Sequence, residues 1–414
     1  MHHQVKVLKE TKKQNKVAYY LDMGLGKTFV GSEKLRQLGE KLNLIVCQKS
    51  KVNDWIRHFD EYYDDFLVYD GTKEKCFQLC LGYTGDEKRI LVINYELIFR
   101  RKLLSKWKEF TLMLDESSMI QNENAKRSRF ILNLRAKNVI LLSGTPTAGK
   151  YEKLWSQCRL LGWSISKSTY WSQYIDFEIW DKNGFPLKIV RGYKNVERLK
   201  EKLREHGAIF MKSKDVFDLP EQIFTPVNIS TTSEYKRFRK NSIVEVDGIE
   251  LVGDTPLTKM LYERQLCGVF NSAKVQAFSD LLLSSDDRMI VFYNFTEEYN
   301  ILKEVVKQAG RSFSVVNGQK KDLDAYENVD NSITFIQYQA GAMGLNLQKA
   351  NTVVYFTPPL SSELFEQSKK RVHRIGQENR CFYYQLICTN SVEEKIYKTL
   401  AMRKDFTERL FEEV

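Results

Sequence analysis

Leu21-Asp22-Met23-Gly24-Leu25-Gly26-Lys27-Thr28 decides the reading of this chain. The apolar run Val17-Ala18-Tyr19-Tyr20 before it predicts a buried strand, and Phe29 to Leu38 after it predicts a helix. A glycine turn between strand and helix leaves backbone N–H groups unpaired, and the helix N-terminus adds partial positive charge. Lys27 would reach β- and γ-phosphates there, and the Thr28 hydroxyl would hold Mg²⁺. The strict form of this turn has another glycine where Leu21 stands, so the match is to Gly24-x-Gly26-Lys27-Thr28.

Outward from this turn the pattern repeats. Leu42 to Cys47, Phe66 to Tyr69 and Ile90 to Ile93 read as strands, and Lys51 to Tyr63 as a helix with Trp55, Ile56 and Phe59 on one face. Near-continuous apolar strands alternating with helices predict a parallel α/β sheet, whose ligands bind at the carboxyl ends of the strands. Phe110 to Leu114 is another such strand and ends in Asp115-Glu116-Ser117-Ser118. Beside a phosphate-binding turn, Asp115 suits Mg²⁺ and Glu116 suits polarising the water that attacks a γ-phosphate. Asn138 to Leu142 leads into Ser143-Gly144-Thr145-Pro146-Thr147, whose hydroxyls can bond the carboxylate pair and relay its state. Upstream, Gln4 carries an amide that can donate and accept at once, as an adenine edge requires.

The 414 residues allow two or three domains. A net charge of +11 favours a polyanionic partner, with nucleic acid first. The seven cysteines form no C-x-x-C pair and read as reduced thiols of a cytoplasmic protein. No apolar run is long enough to span a bilayer, so no membrane partner is expected.

In the second half, Ser164 to Glu205 carries Tyr170, Trp171, Tyr174, Phe177 and Trp180 at helical spacing, a pattern of core packing more than of base stacking. Pro220 and Pro226 flank an extended stretch read as a linker, and Asp247 to Gly253 reads as a polar loop. Helices at 257–270, 272–283 and 297–308 alternate with strands at 288–293, 313–316, 332–336 and 352–356, a second α/β unit without a glycine-lysine turn. Gln367, Arg371 and Arg374 recur at helical spacing and would point together into a cleft. Val392 to Val414 reads as a charged amphipathic helix.

The order DMGLGKT, LDES, LLSGTPT resembles the first RecA-like lobe of superfamily 2 helicases, and its wording resembles the Snf2 family of DNA translocases. LIVCQKSKVNDWIRHF, INYELIF and LMLDESSMIQNENAKRSR are similar to further Snf2 motifs, as are QAGAMGLNL and Gln367-x-x-x-Arg371-x-x-Arg374-x-Gly376-Gln377. Ser118 stands where the family has His, Gln48 where a Pro is common, and Ala342 where Gly is usual.

The resemblance implies an α/β fold of two RecA-like lobes with parallel sheets and Snf2-type helical insertions. The lobes would be residues 1–225, with an insertion at about 163–210, and 226–414, with an insertion at about 230–272. It implies ATP and Mg²⁺ as ligands and duplex DNA, gripped through its backbone, as partner. Lys27, Glu116, Arg371 and Arg374 would be catalytic. Gln4, Gly24, Leu25, Gly26, Lys27, Thr28, Gly344 and Gln367 would bind nucleotide, Thr28 and Asp115 the metal. Ser143, Gly144 and Thr145 would couple hydrolysis to movement. A compact bacterial or phage-type motor is expected. A strand-separating helicase and a DNA-binding scaffold with a decayed ATP site are the alternatives.

Overall fold

A computed structural model describes the chain apart from residues 148, 183–184, 342–344 and 412–414. It divides into two units, 1–216 with 404–414, and 217–403.

Unit 1 is built on strands β1 (Lys16–Leu21), β2 (Leu42–Cys47), β3 (Phe66–Asp70), β4 (Lys88–Asn94), β5 (Phe110–Asp115) and β6 (Asn138–Ser143). A hairpin of β7 (Ile175–Lys182) and β8 (Phe185–Tyr193) precedes β9 (Ala208–Met211). Seven of these form one parallel sheet in the order β3-β4-β2-β5-β6-β1-β9. The central strands are buried on both faces, which is why they read as unbroken apolar runs. Because β5, β6 and β1 are neighbours, with Leu142 opposite Asp115 and Ser143 opposite Tyr20, their carboxyl ends lie level on one edge of the sheet.

Helix α1 (His2–Glu10) occupies the basic N-terminal stretch, α2 (Lys27–Leu38) follows the glycine turn, and α3 (Val52–Tyr62) follows β2. The buried Lys34 of α2 donates to the Thr11 carbonyl at 2.7 Å, a cation at the C-terminal end of α1 that ties the two helices.

Unit 2 holds β10 (Gln222–Ile229), β11 (Ile243–Val246), β12 (Ile249–Val252), β13 (Met289–Tyr293), β14 (Phe313–Val316), β15 (Lys321–Asp322), β16 (Ile333–Gln337), β17 (Thr352–Tyr355) and β18 (Cys381–Cys388). Its seven-stranded sheet runs β10-β18-β17-β13-β16-β14-β15, parallel except for the last pair. Among the described residues no helix is long and apolar enough to cross a membrane.

Three local expectations fail here. The stretch read as a linker is strand β10, paired with β18 along its whole length, and Pro226 is accommodated because β10 is an edge strand. The aromatic stripe is a helix only over Lys167–Tyr174; from Ile175 the chain turns into the β7–β8 hairpin. Ile175-Asp176-Phe177-Glu178-Ile179 alternates with period two, and that signal outweighs the aromatic spacing. Tyr170 and Tyr174 are core residues as read, whereas Trp180 is 55% exposed. The polar loop at 247–253 is the turn and second strand of the β11–β12 hairpin, closed by Asp247-Gly248, both at positive φ.

Candidate functional site

The glycine turn leaves β1 at Leu21 and enters α2 at Lys27. Gly24 and Gly26 have φ of +85° and +74°, a backbone that side chains rarely adopt. Gly26 is the N-cap of α2, so the first N–H groups of the helix have no intrahelical acceptor and face outward for an anion. Lys27 Nζ is folded back onto the carbonyls of Leu21 at 2.9 Å and Asp22 at 3.3 Å, while the Thr28 side chain is exposed. The Asp22 carboxylate accepts from the backbone N–H of Met23 and Ser213, and Ser213 Oγ donates to the Met23 carbonyl, so the segment after β9 braces the turn.

Gln4 is brought to this turn from α1. Its Nε2 donates to the Leu25 carbonyl at 3.3 Å, beside a 3.1 Å contact from His3 Nε2 to the same oxygen. Any side chain at Gly26 would collide with the Gln4 amide.

The acidic turn lies at the adjoining strand end. Asp115 Oδ2 accepts from the indole N–H of Trp55 at 2.9 Å. Burial pushes the Asp115 carboxyl up, against the pull of the Trp55 hydrogen bond and the Lys27 and Lys51 ammonium charges. Glu116 has φ +54°, a left-handed conformation that costs a non-glycine residue about 1 kcal/mol or more. Such strain persists only where the surroundings hold it. Here the buried Tyr95 hydroxyl donates toward the Asp115 carbonyl at 2.9 Å and the Glu116 carbonyl at 3.3 Å.

The third turn completes the cluster. Ser143 Oγ donates to Glu116 Oε2 at 3.4 Å and accepts from Thr145 N at 3.1 Å. At Gly144 a Cβ would come within 3.3 Å of Lys27 Nζ, so the absence of a side chain lets this turn lie against the ammonium group. Unit 1 therefore gathers Gln4, Gly24 to Thr28, Asp115, Glu116 and Ser143 to Thr145 at one sheet edge. The oxygens of Asp115 and Thr28 are a donor set that suits a small, hard dication.

Unit 2 carries the remaining candidates. The helix Ser362–Lys369 bears Gln367, nearly buried, with Nε2 donating to Glu363 Oε1 at 3.4 Å. Arg371 and Arg374 do not continue that helix, contrary to the spacing argument. Arg371 N bonds Ser368 O, three residues back, Ser368 Oγ donates to the Phe365 carbonyl, and the Lys369 carbonyl accepts from both the Tyr383 hydroxyl and His373 N. The last turn tightens, and both arginines come from the turns after it. Arg371 is buried and its carbonyl accepts from Leu347 N. Arg374 Nη1 donates to Asn346 Oδ1, and burial lowers the affinity of its guanidinium for its proton. Gln377 Nε2 pins these turns to the carbonyls of Gln348 and Ala350. Gly344 lies outside the described residues.

The SNF2-related domain pattern matches residues 3–267, well over half of the chain. The chain belongs to the SNF2-related domain family. A helicase conserved C-terminal domain pattern matches residues 273–376 of this SNF2-related chain. A mouse SWI/SNF-related matrix-associated actin-dependent regulator of chromatin, subfamily A member 1, is 25% identical over 91% of the chain and 39% of its own length. The putative ATP-dependent helicase/translocase YwqA of Bacillus subtilis is 23% identical over 94% of the chain and 46% of its own length. The chain thus spans less than half the length of these relatives. A solved Sulfolobus solfataricus SWI2/SNF2 ATPase core in complex with dsDNA is 22% identical, with a TM-score of 0.47, over 98% of the chain and 92% of that chain.

Trp55 and Tyr95 brace the acidic turn without being legible in the sequence as members of the site. Trp55 reads only as part of an apolar helix face; its indole N–H, which needs a partner when buried, is the available signal.

Proposed function

We propose that this chain is an ATP-dependent motor of the Snf2 type that moves on duplex DNA. The observation that carries the reading is the gathering of Lys27, the Asp115–Glu116 pair and the Ser143–Thr145 turn at one sheet edge. The N–H groups at the start of α2 and the Lys27 ammonium receive the β- and γ-phosphates. Thr28 and Asp115 would hold Mg²⁺, which when bound neutralises phosphate charge. Glu116 orients the attacking water, and Ser143, on its carboxylate, passes the state of the site to Gly144 and Thr145. Gln4, against Gly26, recognises adenine, with Gln367 and Gly344 as further nucleotide contacts. Arg371 and Arg374 of unit 2 neutralise charge that builds on the transferred phosphoryl group.

The net charge of +11 suits a polyanion held through phosphates, without sequence readout and with steep salt dependence. The seven cysteines, all unpaired, fit a cytoplasmic protein of a bacterial or phage-infected cell. The test is ATP turnover with duplex DNA, single-stranded DNA and RNA side by side. Duplex DNA is expected to raise turnover many-fold, and Lys27→Ala or Arg374→Ala to reduce it by ~10³ or more. Unchanged turnover in Arg374→Ala would refute the role of unit 2. Unwinding of a forked duplex in preference to triplex displacement would make the motor a strand-separating helicase.

A further inference from the structure

The helix Trp155–Leu160 carries Gln157, whose side chain is wholly buried. Its amide oxygen accepts from the Ser117 hydroxyl at 2.7 Å and from the Tyr20 hydroxyl at 3.0 Å. Its amide nitrogen donates to the Pro146 carbonyl at 2.9 Å. These partners belong to three separate parts of the site. Ser117 follows Glu116 in the acidic turn, Pro146 follows Thr145, and Tyr20 precedes Leu21, whose carbonyl holds Lys27.

This tie is shorter than the direct one between the turns, the 3.4 Å bond from Ser143 to Glu116. It also bears on the strain at Glu116. With Tyr95 on the carbonyls of Asp115 and Glu116 and Gln157 on the Ser117 hydroxyl, the left-handed residue is fixed from both sides. A buried amide with these bonds specifies one arrangement of its neighbours, which an apolar side chain of equal volume would not.

We infer that Gln157 is a positioning residue that holds the acidic turn and the Ser143–Pro146 turn in one register, and so aims Glu116. The inference rests on the ATPase reading above and adds to it a residue that touches neither substrate nor metal.

The test uses the full chain with Gln157→Met, which fills the volume without the amide, Ser117→Ala, and the double variant. Steady-state ATP turnover with duplex DNA is read together with amide hydrogen exchange of the ligand-free proteins. Gln157→Met is expected to lower kcat by about ten-fold or more, with KM for ATP within about two-fold of wild type. Exchange should quicken at both 115–118 and 143–145 while β2 and β4 stay protected. Ser117→Ala should loosen 115–118 alone, and adding it to Gln157→Met should lower kcat no further.

An active wild type with kcat unchanged in Gln157→Met overturns the inference and leaves the ATPase reading standing. So does faster exchange across the whole sheet, which would make Gln157 an ordinary core residue. If Gln157→Met does not fold, Ser117→Ala decides: unaltered exchange at 115–118 overturns the tie. A wild type that hydrolyses no ATP brings down the reading and the positioning role together.

Discussion

Trp55→Phe tests how Asp115 is held. The indole N–H of Trp55 lies 2.9 Å from Asp115 Oδ2. Phenylalanine keeps a ring where Trp55 is stacked on Phe59 and meets His58 edge-on, so the main loss is one hydrogen bond to a carboxylate. Such a bond contributes about 1.5–3 kcal/mol. Losing the partner that orients a metal-bound carboxylate weakens metal affinity by about 10- to 100-fold, the same range of free energy. The assay is DNA-stimulated ATP turnover titrated with free magnesium at saturating ATP. Half-activation should move to about 10- to 100-fold higher magnesium. Trp55 also pulls the Asp115 carboxyl down against its burial, so its removal should move the acid limb of activity to higher pH. A magnesium midpoint within about two-fold of wild type, with an unmoved acid limb, would refute the assignment of Asp115 as a metal carboxylate held by Trp55.

The strained Glu116 makes a second case: Glu116→Gly should stabilise the chain by up to about 1 kcal/mol in thermal unfolding while abolishing turnover. Burial pushes the Glu298 carboxyl up from 4.5 to about 7, against the Asn294 and Phe295 amides, the Lys274 charge and the Thr357 hydroxyl. Between those pH values the folded chain keeps a proton that the unfolded chain has released. Stability contributed by this group is therefore full at low pH and falls by roughly 3 kcal/mol as pH rises through 7. Urea unfolding of Glu298→Gln should show that slope flattened, and an unchanged slope would exclude Glu298 as its source. Gly26→Ala, which at φ +74° drives a methyl against the Gln4 amide, should displace that flexible side chain and strain the turn, with loss of ATP binding in a nucleotide titration.

The strand ends of unit 1 were legible because β1, β5 and β6 are buried on both faces and so appear as unbroken apolar runs. The residues directly after such a run necessarily sit at a sheet edge, and the three turns could be named by number. Their braces could not. Trp55 and Asp115 are 60 positions apart, Ser117 and Gln157 are 40, and Tyr20 and Gln157 are 137, separations that no local pattern encodes. The expected helical placement of the two arginines failed for a different reason. Gln367, Arg371 and Arg374 do recur at helical spacing, but the helix ends at Lys369, where Arg371 N turns to the Ser368 carbonyl three residues back, a tightening that the spacing does not encode. At the hairpin, two periodicities coexist in Tyr170 to Trp180, and the aromatic residues favour the wrong one.

Pro226 has a consequence for how the molecule behaves in a crowded solution. An open sheet margin is a template on which another polypeptide can polymerise. Here an imino acid interrupts the β10 margin, β15 at the far side is two residues long, and β9 in the other sheet only four. Those three margins offer little uninterrupted length to a would-be fibre. Of the four outer strands of the two seven-stranded sheets, β3, at five residues, offers the longest run without a proline.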